Sequence, residues 1–309
     1  MARKPIILLV LLILLALWAC KADQEQVILE GENNQITEIE EETHADTLQE
    51  LKQVDQEAPR ISYSNTVDSL SVRSNYSWSD SGEIPPVVII IDDFGYTSGA
   101  LLEEFASLPP EIVFAVLPDL PQTERSAQMA VQHGHEVIIH VPMEARGNRT
   151  SPGENHIRTG MSAEAIQSML SAFHEQLPMA IAANNHMGST ATADPELMNP
   201  VLDHLNSLGL FFIDSAVTTN RLSYNLAKQK GQRTYRRDIF LDVPDNTDAT
   251  IASKIESLGR YKNRVEPIVV ITHCHNRAKL VALHKFINQI KAMGVRIMSL
   301  NQVRQYAGT

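Results

Sequence analysis

Cysteine is close to missing: Cys20 and Cys274 are the two in 309 residues. With Cys20 set aside in the leader described below, one thiol remains and no intrachain disulfide can form, so the fold has to rest on a buried core instead of cross-links. Long hydrophobic runs are scarce as well. The unbroken apolar run from Ile6 to Ala19 falls short of the roughly 18 to 20 residues that span a bilayer. Positive charge is in deficit, with 26 Lys and Arg against 37 Asp and Glu, and no basic patch invites nucleic acid. Gly-x-Gly-x-x-Gly and Walker patterns are absent, which leaves a nucleotide site without support.

What is present begins with an export signal. Arg3 and Lys4 precede the apolar run, the arrangement of a secretory leader over 1–20. The run ends in "LWAC", which resembles a bacterial lipoprotein cleavage box with Cys20 as the lipidated N-terminus; an ordinary cleaved signal and an uncleaved anchor are the alternatives. All three put the rest of the chain outside the cytoplasm, in the bacterial periplasm or envelope, touching a membrane only through a lipid or N-terminal anchor. Residues 21–84 carry an acidic excess equal to the formal net charge of the whole chain, −11. Glu, Gln, Asn, Ser and Thr dominate there and apolar residues do not cluster, which predicts a solvated, disordered linker. The remainder, 85–309, is nearly neutral and reads as one domain.

Within that domain, β-like apolar runs alternate with segments of helical period. The runs are "PVVIII", "IVFAVL", "EVIIHV", "MAIAAN", "LFFID", "IFLD", "PIVVIT" and "VRIMSL". Between them, "SAEAIQSMLSAFHEQL" offers Ser162 as an N-cap, and "DPELMNPVLDHLNSLG" closes on Gly209. Seven or eight such units fit a (β/α) barrel better than an open sheet. A barrel concentrates functional residues at the C-terminal ends of its strands. Those ends carry Asp92 and Asp93, then His140 with Glu144 beyond it, then Asn184, Asn185 and His186, then Asp214, Asp242, and finally His273 and His275.

Two adjacent aspartates at the tip of a buried Val/Ile strand need a metal, a basic group or open water, because unpaired carboxylates repel and are costly to desolvate; a solvent-exposed turn cap is the plain alternative. One carboxylate and two or three imidazoles from separate strands suit a divalent ion, Zn²⁺ above all, with a position left open for water. One aspartate then binds the metal and the other is free as a base. Asn185, Asp214 and Asp242 stand behind this shell as acceptors that orient its members, and the two aspartates serve equally well as loop caps. Cys274 reads as a packed small hydrophobe. His133, His135, His174, His204 and His284 read as surface or packing residues.

"VVIIIDDFG" followed by "GHEVIIHVPME" resembles the polysaccharide deacetylase (NodB-homology) superfamily. "IDDFG", "IIHVPMEA", "NNHMGS" and "FFIDSAVT", in that order, are similar to its divergent polysaccharide deacetylase family of envelope proteins, over roughly Pro85 to Tyr306. The resemblance implies a distorted (β/α) barrel and metal-dependent removal of N- or O-acetyl groups from a glycan. It assigns Asp92 as the base, Asp93 as the metal aspartate and His140 as the first metal histidine. Glu144 stands where the family has its second metal histidine, with His186 the better third ligand. His273 takes the place of the general acid, with His275 as its alternative. The arginine that orients the base in that family has no clear counterpart, which favours a second reading: a non-catalytic envelope protein that binds glycan or a partner on the same barrel. A third is an esterase or phosphoesterase built on the same shell.

Overall fold

In a computed structural model of the protein, residues 83–147 and 151–306 are described. The expected leader, Cys20 and nearly all of the acidic linker lie outside them. Seven of the eight expected runs form strands, and every strand except β6, which leads straight into β7, is followed by a helix. The strands are β1 (Val87–Phe94), β2 (Val113–Val116), β3 (Glu136–Met143), β4 (Ala182–Met187), β5 (Phe211–Asp214), β6 (Thr234–Arg236), β7 (Ile239–Phe240) and β8 (Ile268–His273). They make one sheet in the order β6-β5-β4-β3-β2-β1-β8-β7, with parallel pairing throughout. The helices are α1 (Gly99–Ala106), α2 (Thr123–Gln132), α3 (Ala163–Gln176), α4 (Pro195–Ser207), α5 (Leu222–Gln229), α6 (Asp248–Ser257), α7 (Arg277–Ala292) and α8 (Leu300–Tyr306). None of them is long and apolar enough to cross a membrane.

The two edge strands are neighbours in the chain, separated by Arg237 and Asp238 alone. Arg237 N donates to Asp214 O of β5 at 2.9 Å, and the next residue, Asp238 N, donates to Val269 O of β8 at 2.8 Å. One short stretch therefore bonds to strands on both sides of the gap, so the sheet curls round on itself into the distorted barrel the sequence implies. Closure comes from a single crossing segment; no β6–β7 pair is needed.

Alternation along the strands sorts side chains into two buried sets. Val88, Ile90, Val113, Ala115, Ile138, Ala182, Phe211, Ile213, Val269 and Ile271 pack together inside the curl. Their alternates, among them Ile89, Ile91, Phe114 and Ile139, pack against the helices. Helix starts follow the expected chemistry: Ser162 accepts from Ala165 N at the start of α3, and Asp194 accepts from Glu196 N ahead of Pro195 in α4. Gly209, just past the end of α4, takes φ 77°, a left-handed turn that a side chain would strain.

Three expectations about strands change. "MAIAAN" forms its strand later than expected, because Ala180 N turns back to Leu177 O and pairing with β3 starts at Ile181. β4 consequently runs on through Asn185 and His186 to Met187 instead of ending at Asn184. "TYR", β6, is too short to signal itself. "VRIMSL" is not a strand: it makes one bridge, Val87 with Ile297, and then turns into α8. The Glu136 carboxylate drives that turn, accepting from Ser299 Oγ at 2.6 Å, Leu300 N at 2.7 Å and Asn301 N at 3.0 Å. A carboxylate at a helix N-terminus satisfies orphan amides and complements the dipole. Met298, Leu300 and Val303 then join the interior cluster and close the barrel at the N-terminal ends of its strands.

Candidate metal centre

Parity aims most of the site. Val88 and Ile90 face the interior, so Asp92 does too; the same count along β3, β4 and β8 brings in His140, Asn184, His186 and His273. Asp93 breaks parity and still reaches the site. Its φ of 71° is left-handed, and the register between β1 and β2 slips between Ile91 and Phe94. This local turn presents both carboxylates to one cavity, where a regular strand would point them to opposite faces.

Asp93, His140 and His186 each offer a ligand atom, and these atoms all lie within 4.8 Å of one another. Asp93 Oδ1 is 3.1 Å from His140 Nε2 and 3.0 Å from His186 Nδ1. The two ring nitrogens are themselves 3.1 Å apart. The other side of His140 is committed. Asn184 Nδ2 donates to Asp92 Oδ1 (2.9 Å) and Ser215 Oγ (3.2 Å), so the amide oxygen faces His140 Nδ1 at 2.7 Å and Nδ1 must donate to it. A neutral His140 then turns a lone pair from Nε2 toward Asp93 Oδ1, an arrangement that is favourable only with a cation between them. Without one, a second proton has to serve: burial opposes the charged ring, yet the Asp92 and Asp93 carboxylates carry its pKa up to about 9. The donor set, one carboxylate oxygen and two imidazole nitrogens from three strands, fits a divalent ion.

The remaining residues divide clearly. Asp92 is buried, 3.7 Å from His140 Nε2; burial raises its pKa, while His140 and His273 partly counter that. Asp93 moves the other way: hydrogen bonds from His140, His186 and His275 outweigh burial and hold it well below the usual carboxylate range. His273 Nδ1 sits 2.8 Å from Asp242 Oδ2, and its Nε2 faces the centre, 3.9 Å from Asp93 Oδ2. Although burial opposes it, the Asp242 carboxylate raises the His273 pKa. His275 reaches Asp93 Oδ2 at 2.6 Å from a half-exposed position and stacks on His273. Asp242 thus stands behind His273, a histidine outside the Asp93, His140 and His186 triad. Cys274 is fully buried with its thiol pushed up to about 12, a packed residue.

Glu144 is not brought to the centre. Past Met143 the chain leaves β3, Glu144 N pairs with Ile157 O, and the carboxylate accepts from Thr159 N (2.6 Å) and Thr159 Oγ1 (2.7 Å), clasping the following loop. Asp214 faces the outer side of β5, where it accepts from Ala216 N and Ser223 Oγ, so it caps a loop and orients no ligand. Asn185 also faces away, fixing Ser215 N and Met187 O and with them the loops that flank the site.

Sequence reasoning missed Arg237. Its guanidinium donates to Ser215 O at 2.6 Å and Ala216 O at 2.7 Å, lies over the Phe240 ring at 4.2 Å, and is near enough to Asp92 for their charges to interact. A partly buried arginine therefore lies near Asp92, held in place by two loop carbonyls. The signal was the Arg236-Arg237 pair before a short β run, in a domain with little net charge.

The family model of the divergent polysaccharide deacetylases matches residues 89–304. The chain belongs to this family. A protein of Haemophilus influenzae, described as uncharacterized, is 32% identical over 210 residues, 67% of this chain and 71% of its own. YibQ of Escherichia coli K12, described likewise, is 33% identical over 189 residues, 61% of this chain and 58% of its own. An uncharacterized protein of Agrobacterium tumefaciens C58 shares the fold, with a TM-score of 0.63 at 21% identity over 72% of this chain and 93% of its own.

Proposed function

We propose that the protein is a metal-dependent hydrolase that removes N- or O-acetyl groups from an envelope or extracellular polysaccharide. One observation carries the reading: Asp93, His140 and His186 converge beside a second carboxylate, Asp92, whose burial keeps it a stronger base than an ordinary aspartate. Those three residues would hold a divalent ion, Zn²⁺ being the best match to the donors. Bound there, the ion would polarise an acetyl carbonyl and lower the pKa of an attacking water toward 7.

The protein's own groups supply the proton transfers. Asp92 accepts the proton of the attacking water, with Asn184 fixing one of its oxygens and Arg237 offsetting its charge. His273, backed by Asp242, donates a proton to the leaving nitrogen or oxygen from the opposite side. His275 keeps the second oxygen of Asp93 in place. Arg237 supports this catalytic reading over a glycan-binding scaffold, since the scaffold reading drew on the want of such a residue. The basic leader and the "LWAC" box support export to the envelope, with Cys20 as the point of lipid attachment.

Metal analysis of the purified protein, together with acetate release from a panel of acetylated glycans, tests the proposal. About one divalent ion per chain and release that chelation abolishes are expected. A metal-loaded protein inert on every glycan would turn the reading to the scaffold.

A further inference from the structure

Asp242 carries an uneven load. Its Oδ2 receives His273 N at 3.2 Å, His273 Nδ1 at 2.8 Å and Lys279 Nζ at 2.5 Å, whereas its buried Oδ1 has no hydrogen-bond partner among the described residues. The orientation of this carboxylate is therefore set at one oxygen by three donors, two of them from the histidine it is meant to hold. Lys279 is the independent one.

Lys279 is also in an unexpected place. It sits in the first turn of α7, a turn with no acidic residue, where the helix dipole disfavours a cation. Its ammonium is mostly buried and is directed onto Asp242. Arg277, the other cation of that turn, pairs outward with Glu104. An interior lysine placed against a helix dipole is stabilised here by Asp242, and the pairing in turn leaves Asp242 balanced when His273 is neutral. A buried carboxylate without that balance would swing away, take up a proton, or draw one onto His273.

We propose that Lys279 is a positioning residue for His273: by clamping Asp242, it keeps the Nδ1 proton on the Asp242 side and turns Nε2, the nitrogen that takes up and gives the transferred proton, toward the reacting centre. The role rests on the deacetylase reading for its purpose, though not for its test. The Lys279 ammonium pairs with Asp242, and it acts on His273 through that carboxylate.

The test uses the full chain with its histidine rings labelled with ¹⁵N, with and without added Zn²⁺, His273 being assigned by the signal lost in His273→Gln. Above the ring's pKa, wild type should show a protonated Nδ1, a bare Nε2 and a slowly exchanging Nδ1 proton. Lys279→Met should lose that proton to exchange and give mixed tautomers, whereas Lys279→Arg should keep the wild-type pattern. Should the methionine variant unfold, Lys279→Gln is read in its place. A His273 spectrum unchanged in the uncharged variant, or altered equally in Lys279→Arg, overturns the proposal. Because the spectra need no substrate, a protein that shows this dependence yet releases no acetate would sink the deacetylase reading alone.

Discussion

Asn184 Nδ2 lies 2.9 Å from Asp92 Oδ1 while its own Oδ1 lies 2.7 Å from His140 Nδ1, so a single buried amide holds both the proposed base and an imidazole of the candidate metal centre. Neither partner is free to turn: the amide cannot flip without setting its NH₂ against the His140 N–H and its oxygen against the Asp92 carboxylate. The pairing fixes the protonation pattern that aims a lone pair at the centre. It also couples two roles that the sequence places on different strands.

Replacing Asn184 with leucine tests that coupling. The change leaves a carboxylate oxygen and a ring N–H buried without partners, at a cost of about 1–3 kcal/mol for each. Denaturant unfolding should show this loss. Zn²⁺ affinity should fall by about 10- to 100-fold, the usual effect of removing the group behind a ligating histidine. Wild-type affinity in a folded Asn184→Leu protein would show that His140 needs no such partner.

The Asp242–His273 pair predicts a two-sided pH dependence. Burial works against the carboxylate, but His273 and Lys279 hold its pKa down to about 2, against an ordinary 3.8. A depressed acid stabilises the fold above its unfolded pKa and loses that effect as pH falls through the folded value. His273 is shifted upward, so its share is complete below 6.5 and is lost as pH rises through its raised value. The stability gap between wild type and Asp242→Asn should therefore be widest near pH 4 to 6.5, on the order of 2 kcal/mol, and shrink on both sides. A gap that is flat from pH 2 to 9 would remove the pair from the stability of the fold.

The barrel and most of the site were legible because both follow from short-range rules. A buried Val/Ile strand has a fixed parity, so Asp92, His140 and His273 could be assigned to one face from the sequence, and Ser162 marked its helix by capping chemistry alone. What escaped depended on distant partners. Arg237 comes near Asp92 only because the sheet curls and the chain crosses its gap there. Glu144 keeps the parity of His140 on paper and loses it when Ile157 captures the backbone at the end of β3. Asp93 needed a left-handed turn that no neighbouring residue type announces, and "VRIMSL" looked like a strand until Glu136, far back in the chain, capped the helix that follows it.

Glu136 accordingly offers a control at the far end of the barrel. Glu136→Ala removes the acceptor of three hydrogen bonds at the start of α8, and about 1–3 kcal/mol of stability should go with it. Amides from Leu300 onward should exchange faster as Met298, Leu300 and Val303 loosen. Metal content and its affinity should not change, since the metal residues sit at the opposite ends of the strands. Loss of metal in this variant would mean that the interior packing carries the site's geometry further than alternation along single strands implies.

Asp92→Asn and His140→Ala separate the two carboxylates' roles. Asparagine at position 92 is nearly isosteric, leaves Asp93, His140 and His186 untouched, and removes the group proposed to accept the proton. Metal content should stay at the wild-type level while acetate release falls by about 10²- to 10⁴-fold. His140→Ala removes a ligand and the donor to Asn184 together, so metal and activity should vanish in step. The phenotypes have to differ if the adjacent aspartates divide their work as the left-handed turn at Asp93 suggests. Loss of metal in Asp92→Asn would make Asp92 a ligand as well as a base, and full activity in that variant would pass the proton transfer to His273 or His275, the remaining imidazoles near the centre outside the metal triad.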